Sequence, residues 1–522
     1  MIRTVPAATL HDWLHDGHEI ALLDVREAGQ FGESHLFFAV PLPYSRLELD
    51  APRLMPCLAA RIVVCDDGAL GVAQDAASRL ADLGYSNVSV LEGGTRAWSA
   101  AGFRLFAGVN VPSKTFGELV EMRYHTPRIT PQRLAAMREA GERVVVLDGR
   151  PLTEYRKMTI PGSRCCPNGE LAWRVGEIVR DPAVPIVVNC AGRTRSIVGA
   201  QTLINFGIAN KVYALENGTQ GWYLADLELE HGAQRQYPEV GPATDARALQ
   251  ARADALAQRH RVRYVDDEEA GRWLADASRT TYLLDVRTPG EFARGSLAGA
   301  VSAPGGQLLQ ATDQWVAVRH ARIVLVDSEG VRAPVIASWL VQMGHDAVVL
   351  RAGTSSHLST HPRRIELPRV RPIEPAALEQ EIASGRATLI DLRPSMAYRK
   401  AHIPGSIWSI RPRLGELGPR LRATVVLVSD DPGMASIAAA DLARSGSHDV
   451  AMLEGGFDAW RASGRSVEAS TDEPPDAACI DYLFFVHDRH DGNKAAARRY
   501  LAWEQQLVSQ LDEHERASFR LG

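Results

Sequence analysis

Short, wholly apolar runs alternate with longer stretches of helical period along nearly the whole chain, and the cycle occurs four times. The first run of each unit leads into Asp-x-Arg: Leu23-Asp24-Val25-Arg26, Leu147-Asp148-Gly149-Arg150, Leu284-Asp285-Val286-Arg287 and Ile390-Asp391-Leu392-Arg393. A second run follows about 40 residues after the aspartate: Ile62-Val63-Val64, Ile186-Val187-Val188, Ile323-Val324-Leu325 and Val425-Val426-Leu427. Apolar at every position, such runs suit strands buried on both faces. Helical patterns come next, over residues 73–83, 197–206, 334–343 and 435–444. A third strand and a glycine turn close each unit, as in Val88-Ser89-Val90-Leu91-Glu92-Gly93-Gly94. Strands alternating with helices predict an α/β chain of four tandem units, each a mainly parallel sheet flanked by helices.

The repeat sets the boundaries. Units are expected over residues 1–105, 124–230, 261–360 and 373–468, and each is long enough for one compact domain. Trp98, Trp222 and Trp460 match in position, with His357 in the third copy. Residues 102–128 read as a linker whose Arg123-Tyr124-His125 leads into the second unit. Residues 243–260, rich in Ala, Arg and Gln, read as a bridging helix, and residues 361–375, with four prolines, as a spacer. Residues 476–522 are not a fifth copy. They carry an apolar patch from Tyr482 to Val486, a turn at Asp491-Gly492-Asn493, and a helix with Tyr500, Trp503, Leu507 and Leu511 on one face. That stripe predicts a C-terminal helical tail docked on the protein's own body.

Composition narrows the class. A chain of 522 residues, 45% hydrophobic and 23% charged, is ordinary for globular domains. A net charge of −5 gives no general basic surface for nucleic acid. No apolar run is long enough for a membrane span. The first residues lack a signal-peptide core, which makes the cytoplasm the expected compartment. Six cysteines are too sparse for a disulfide scaffold.

The loop after the second strand separates the copies chemically. It reads Cys65-Asp66-Asp67-Gly68-Ala69-Leu70-Gly71 in the first, Asp327-Ser328-Glu329-Gly330-Val331-Arg332-Ala333 in the third and Ser429-Asp430-Asp431-Pro432-Gly433-Met434-Ala435 in the fourth. The second reads Cys190-Ala191-Gly192-Arg193-Thr194-Arg195-Ser196. A cysteine at a strand-to-helix turn faces backbone N–H groups that the first helical turn leaves unpaired. Those donors and the helix dipole favour thiolate, the nucleophilic form. Arg193 and Arg195 add fixed positive charge, Gly192 allows a tight turn, and Thr194 and Ser196 offer hydroxyl donors. Acidic Asp66 and Asp67 are expected to raise the Cys65 thiol pKa, which favours an inert Cys65 over a resolving thiol.

The loop from Cys190 to Ser196, set in this fourfold frame, resembles the active-site loop of the rhodanese (sulfurtransferase) family. The resemblance covers nearly the whole chain and implies one competent site, in the second domain. It implies that Cys190 attacks the sulfane sulfur of a small anionic donor such as thiosulfate or a persulfide, and that a thiol or cyanide then removes the sulfur from a Cys190 persulfide. The backbone from Ala191 to Ser196 would cradle the terminal sulfur, and Arg193 and Arg195 would orient the donor. Asp148 and Arg150 read chiefly as a strand-end ion pair with a site role also open, and Asn217 as a donor to the anion or a left-handed turn residue. No metal and no organic cofactor is needed. A persulfide carrier or docking scaffold for a protein acceptor is the alternative function. Cysteine phosphatases and arsenate reductases, whose signature resembles Cys-x5-Arg, fit less well, because Arg195 comes one place early. Cys165 and Cys166, Cys57 and Cys479 read as packing residues, although the vicinal pair leaves a redox or metal site open and Arg164 is a candidate for the pocket wall. The run from His487 to Asp491 reads as a loop over the site rather than as a metal cluster.

Overall fold

A computed structural model describes residues 2–69, 71–241, 245–446, 449–484 and 493–521. The expected turn at Asp491-Gly492 and the run from His487 to Asp491 lie outside the described residues. Four sheets form with the same internal strand order. In the second domain that order is Arg128–Ile129, Val212–Leu215, Ile186–Asn189, Val145–Asp148 and Arg164–Cys165, all parallel. The two apolar runs read from the sequence are the central strands. They pair in the same register in every copy, Asp24 with Cys65, Asp148 with Asn189, Asp285 with Val326 and Asp391 with Val428. The aspartate therefore always lies beside the last strand residue, one place before the loop position that Cys190 holds. In the first copy that residue is Cys65, so Asp66, and not Cys65 as the sequence reading had it, stands where Cys190 does.

The conserved-looking polar residues of the repeat are structural. Each Asp-x-Arg pair is a buried ion pair, with N–O distances of 2.5–2.7 Å. Each arginine also donates from Nη2 to a carbonyl eight residues from the aspartate's partner: Ser34, Met158, Gly295 and Ala401. The pair thus clamps the following helix to the strand end. Trp98, Trp222 and Trp460 each donate from the indole N–H to the carbonyl six residues on. In the third copy the helix that carries this tryptophan is replaced by a short 3-10 turn, Gly353–Ser355.

The domains stand in the spatial order four–one–three–two. The strand Val318–Arg319 of domain three pairs antiparallel with Ile20–Asp24 and extends the first sheet to six strands. Domains two and three meet where Trp339 donates to Thr202 Oγ1 (2.9 Å) and Arg332 pairs with Glu170 (3.0 Å). Domain four meets domain one through Arg411, which holds Glu48 and Asp441. One apolar cluster runs through domains one, two and three, whereas domain four has clusters of its own.

One segment differs from its sequence reading, while the tail and the bridging segment form helices as read. The stretch read as a linker contains a 14-residue helix, Val111–Tyr124, with Lys114, Phe116 and Glu118 buried. It packs on the helix Thr194–Asn205 so tightly that a Cβ on Gly117 would lie 2.8 Å from Thr194 Cγ2. The tail helix Lys494–Gln510 in turn packs on that segment. Tyr500 and Leu507 are buried, Trp503 and Leu511 are half-buried, and Trp503 fills the space beside Gly108. The bridging helix is Ala246–Arg259, capped by Asp245, which accepts from the Ala248 N–H at 3.0 Å.

Candidate active site

The loop from Cys190 to Arg193 links the strand Ile186–Asn189 to the helix Thr194–Asn205. Its backbone is fixed from below: the Cys190 carbonyl accepts from the Thr219 N–H (2.8 Å) and the Ala191 carbonyl from the Gln220 N–H (3.1 Å). Asn217 and Gly218 reach this position with φ of 59° and 55°. Glycine is required at 218, because a Cβ there would stand 2.2 Å from the Cys190 carbonyl oxygen. With the carbonyls turned inward, the N–H groups of residues 191–196 have no acceptor among the described residues.

The first and third loops fill the same cradle with an aspartate at the position of Cys190, and the fourth takes up one N–H with Asp431. Asp327 accepts from the N–H groups of Gly330, Val331 and Ala333 at 2.9–3.0 Å. Asp66 accepts from Gly68 and Ala73, and Asp431 from Gly433. Only in the second copy, among the described residues, does the cradle stand open, and there the first residue is a thiol.

Cys190 lines a cavity of about 210 Å³ together with Ala191, Gly192, Arg193, Thr194 and Arg195. The cavity's other walls come from elsewhere: Lys114 from the inter-domain helix, Gln307 and Gln314 from domain three, and Tyr500 and Glu504 from the tail. Gly192 makes room for the tail, since a Cβ there would meet Glu504 Oε2 at 3.1 Å and Gln220 Nε2 at 3.5 Å.

Both arginines line the cavity, and both are paired with carboxylates. Arg193 is clamped by Glu118 (2.7 and 2.8 Å) and Glu121 (2.5 Å), with Asn217 Oδ1 at 3.4 Å. Arg195 forms a two-pronged pair with Glu154, both bonds 2.8 Å. Each guanidinium lines the cavity and is matched to carboxylates that the sequence pattern did not connect with it. Asp148 is likewise saturated by Arg150, Thr159 and Asn189 and is fully buried behind the loop, off the cavity wall. Asn217 takes the left-handed turn. Thr194 donates to Glu504 Oε1 (2.8 Å), while Ser196 Oγ is buried without a partner.

Lys114 and Glu504 are the polar groups that sequence reasoning missed. Lys114 Nζ donates to the Val109 carbonyl and lies 4.7 Å from the Trp503 ring centroid and 5.3 Å from that of Tyr500. Glu504 is 2% exposed, and its Oε2 has no hydrogen-bond partner. Its position four residues after Tyr500 and three before Leu507 puts a carboxylate inside the apolar stripe, which is the signal that could have revealed it.

The remaining thiols are all free and buried. Burial, followed by the charge of Asp24, pushes Cys65 well up from the ordinary thiol range. The acidic loop residue Asp66 adds less than burial does. Burial pushes Cys165 up to about 12 and Cys166 well up too. Arg164 points to the Gln236 carbonyl rather than to the Cys190 cavity. Among the described residues no cluster of His, Cys, Asp or Glu could hold a metal ion, and no helix is long and apolar enough to cross a membrane.

An open thiol cradle at the carboxyl end of a parallel sheet, repeated in altered form three times, defines a repeat protein of the α/β class with one cysteine-bearing loop. Comparison with known proteins agrees with that class. The model of the rhodanese-like domain matches residues 6–101, 130–225, 267–358 and 374–463. A crystal structure of thiosulfate sulfurtransferase from Pseudomonas aeruginosa is 41% identical, covers 99% of both chains and superposes with a TM-score of 0.92. The HTH-type transcriptional regulator Rv0324 of Mycobacterium tuberculosis is 36% identical over 105 residues, 20% of this chain and 45% of the regulator. The chain thus spans less than half the length of that relative. The rhodanese-like domain of Alr3790 from Anabaena sp. is 27% identical over 20% of this chain and 80% of its own, with a TM-score of 0.19. The chain belongs to the rhodanese-like family and is a four-domain enzyme of the rhodanese-like sulfurtransferase class.

Proposed function

We propose that the protein moves sulfane sulfur from thiosulfate or a persulfide to a small thiol through a Cys190 persulfide. The single observation that carries this reading is the open set of N–H groups from Ala191 to Ser196 around the one cavity-lining thiol. In the first half-reaction the Cys190 thiolate attacks the outer sulfur of the donor. The new S–S bond forms as the old one breaks, and sulfite or a thiolate leaves with its electron pair. The persulfide anion left behind is stabilised by the free N–H groups and the N-terminus of the helix Thr194–Asn205. Lys114, with no carboxylate partner among the described residues, replaces the two arginines as the cation that steers the donor. In the second half-reaction an acceptor thiol gives its proton to Glu504 Oε2, attacks the terminal sulfur and returns Cys190 as thiolate. A cavity of about 210 Å³ walled by domain three and the tail favours a small acceptor over a protein acting as acceptor or docking partner.

Mass spectrometry of the intact protein after incubation with thiosulfate tests the reading. One added sulfur is expected, removable by thiol or cyanide. Cys190→Ser abolishes it and Cys65→Ser keeps it. Sulfur retained by the Cys190→Ser protein would overturn the assignment.

A further inference from the structure

A second cavity, of about 310 Å³, lies where domains one and three meet the end of the tail. Its size is within the ~300–1,000 Å³ range of small-molecule sites. One side is apolar, formed by Leu14, Phe38, Met343 and Phe519. The other carries Arg319, Arg520, His15, His320, His345 and His514. Asp313, an acid on the wall, is half-buried with Oδ1 enclosed, and desolvation pushes its carboxyl up to about 6.

Arg319 makes the cavity unusual. Its guanidinium lies 3.4 Å from the centroid of the Phe38 ring, its Nε is buried without a partner, and it pairs with no carboxylate among the described residues. The other deeply placed arginines, Arg150, Arg193, Arg332 and Arg411, are all matched to carboxylates. His320 Nε2 is also buried and unpartnered. Burial and neighbouring cations hold His15 and His320 down at about 4 and His345 at about 3, and burial lowers Arg319 to about 10. Arg319 is half-buried with its Nε enclosed. A charge so placed is costly unless a counter-charge is supplied, and no carboxylate among the described residues pairs with it, Asp313 on the same wall included. The fold nonetheless holds Arg319 in place, on the strand that joins the sheets of domains one and three.

We propose that this junction binds a small organic carboxylate with an apolar body. The carboxylate pairs with Arg319 and Arg520, and the body lies against Phe38, Met343 and Phe519. The tail closes the site: the Arg520 N–H donates to the Gln342 carbonyl (2.7 Å), and the Ser518 carbonyl sits where a Cβ on Gly344 would be. Because the same tail brings Tyr500 and Glu504 to Cys190, occupancy of this cavity favours the docked tail. The binding itself does not depend on the reading of Cys190.

Titration calorimetry on the full chain tests the site, with benzoate, inorganic phosphate and benzyl alcohol as probes. Benzoate is expected to bind saturably, one per chain, and at least about tenfold more tightly than either of the others. Arg319→Met and Arg520→Gln each weaken benzoate by about tenfold or more, and Cys190→Ser does not. Both arginine variants still take up one sulfur at Cys190, which shows that they are folded. If Arg319→Met fails to fold, the exposed Arg520 carries the test alone. Absence of saturable benzoate binding, equal binding of benzyl alcohol, or unchanged affinity in the folded arginine variants overturns the proposal. Phosphate binding more tightly than benzoate overturns the organic class of the ligand, and loss of benzoate binding in Cys190→Ser overturns its location.

Discussion

Around Cys190 the charged side chains nearly cancel: Arg193 is held by Glu118 and Glu121, and Arg195 by Glu154. The stabilisation of a bound sulfur anion is therefore left to backbone N–H groups, and the two groups without an ion pair, Lys114 and Glu504, become the ones that can act. Glu504 keeps one oxygen on Thr194 and the other turned to the cavity. As a base it serves only the step in which an acceptor loses a proton. Glu504→Gln preserves the shape and can keep the Thr194 contact, so it should slow transfer from preformed persulfide to a protonated thiol by about 10²–10⁴-fold. Loading from thiosulfate should be unimpaired. With a thiol already ionised at the assay pH the difference should vanish, which a purely structural effect would not produce. Single-turnover rates measured with thiols of differing acidity decide it, and a uniform slowing would refute the role. At this scale the candidate thiol and its loop were legible in the sequence, because seven consecutive residues carry them. Glu118, Glu154 and Glu504 were not, because their proximity to the loop is made by packing, Glu504 from a segment more than three hundred residues away.

The elements of the four copies are alike because each is built around the same buried pair. The Asp-x-Arg clamp ties one strand end to the helix that follows, and the strand beside it always ends at the cradle. The main strands and their parallel sense were readable from the sequence, since buried parallel strands show as unbroken apolar runs; their order in the sheet and the short edge strands were not. The function of the clamp was readable too, as a structural pair. What could not be read was the helix Val111–Tyr124, because Lys114, Glu118 and polar Ser113 and Thr115 are buried on it and give it no clean apolar face. Clamp and catalysis should separate experimentally. Arg393→Met leaves Asp391 buried without its cation, a loss on the order of 3–5 kcal/mol. Domain four should be destabilised by about that amount in denaturant unfolding, while persulfide formation at Cys190 is unchanged. A variant with the stability of the parent would show that the repeated pair is not what holds the strand end.

Across the whole molecule the spatial order four–one–three–two divides it into unequal parts. Domains one, two and three share a continuous apolar cluster, and the antiparallel pairing of Val318–Arg319 with Ile20–Asp24 joins two of their sheets. Breaking any of these contacts exposes core, so the three should unfold together. Domain four keeps its own two clusters, and the contacts described between it and domain one are largely ionic: Arg411 with Glu48, Arg79 with Asp441, and Arg46 with Asp431. A junction of that kind transmits less cooperativity than a shared core. Scanning calorimetry should therefore resolve two transitions, a small one for domain four and a large one for the rest. Arg411 is 3% exposed, and Arg411→Gln leaves Glu48 and Asp441 facing each other without it. The substitution should move the smaller transition to lower temperature and leave the larger almost in place. The active-site cavity, walled by domains two and three and the tail, should then persist after domain four has melted, so that Cys190 still takes up sulfur between the two transitions. A single transition with equal calorimetric and van't Hoff enthalpies would mean that the charged junction couples all four domains, and that the shared core is not what sets the cooperative unit.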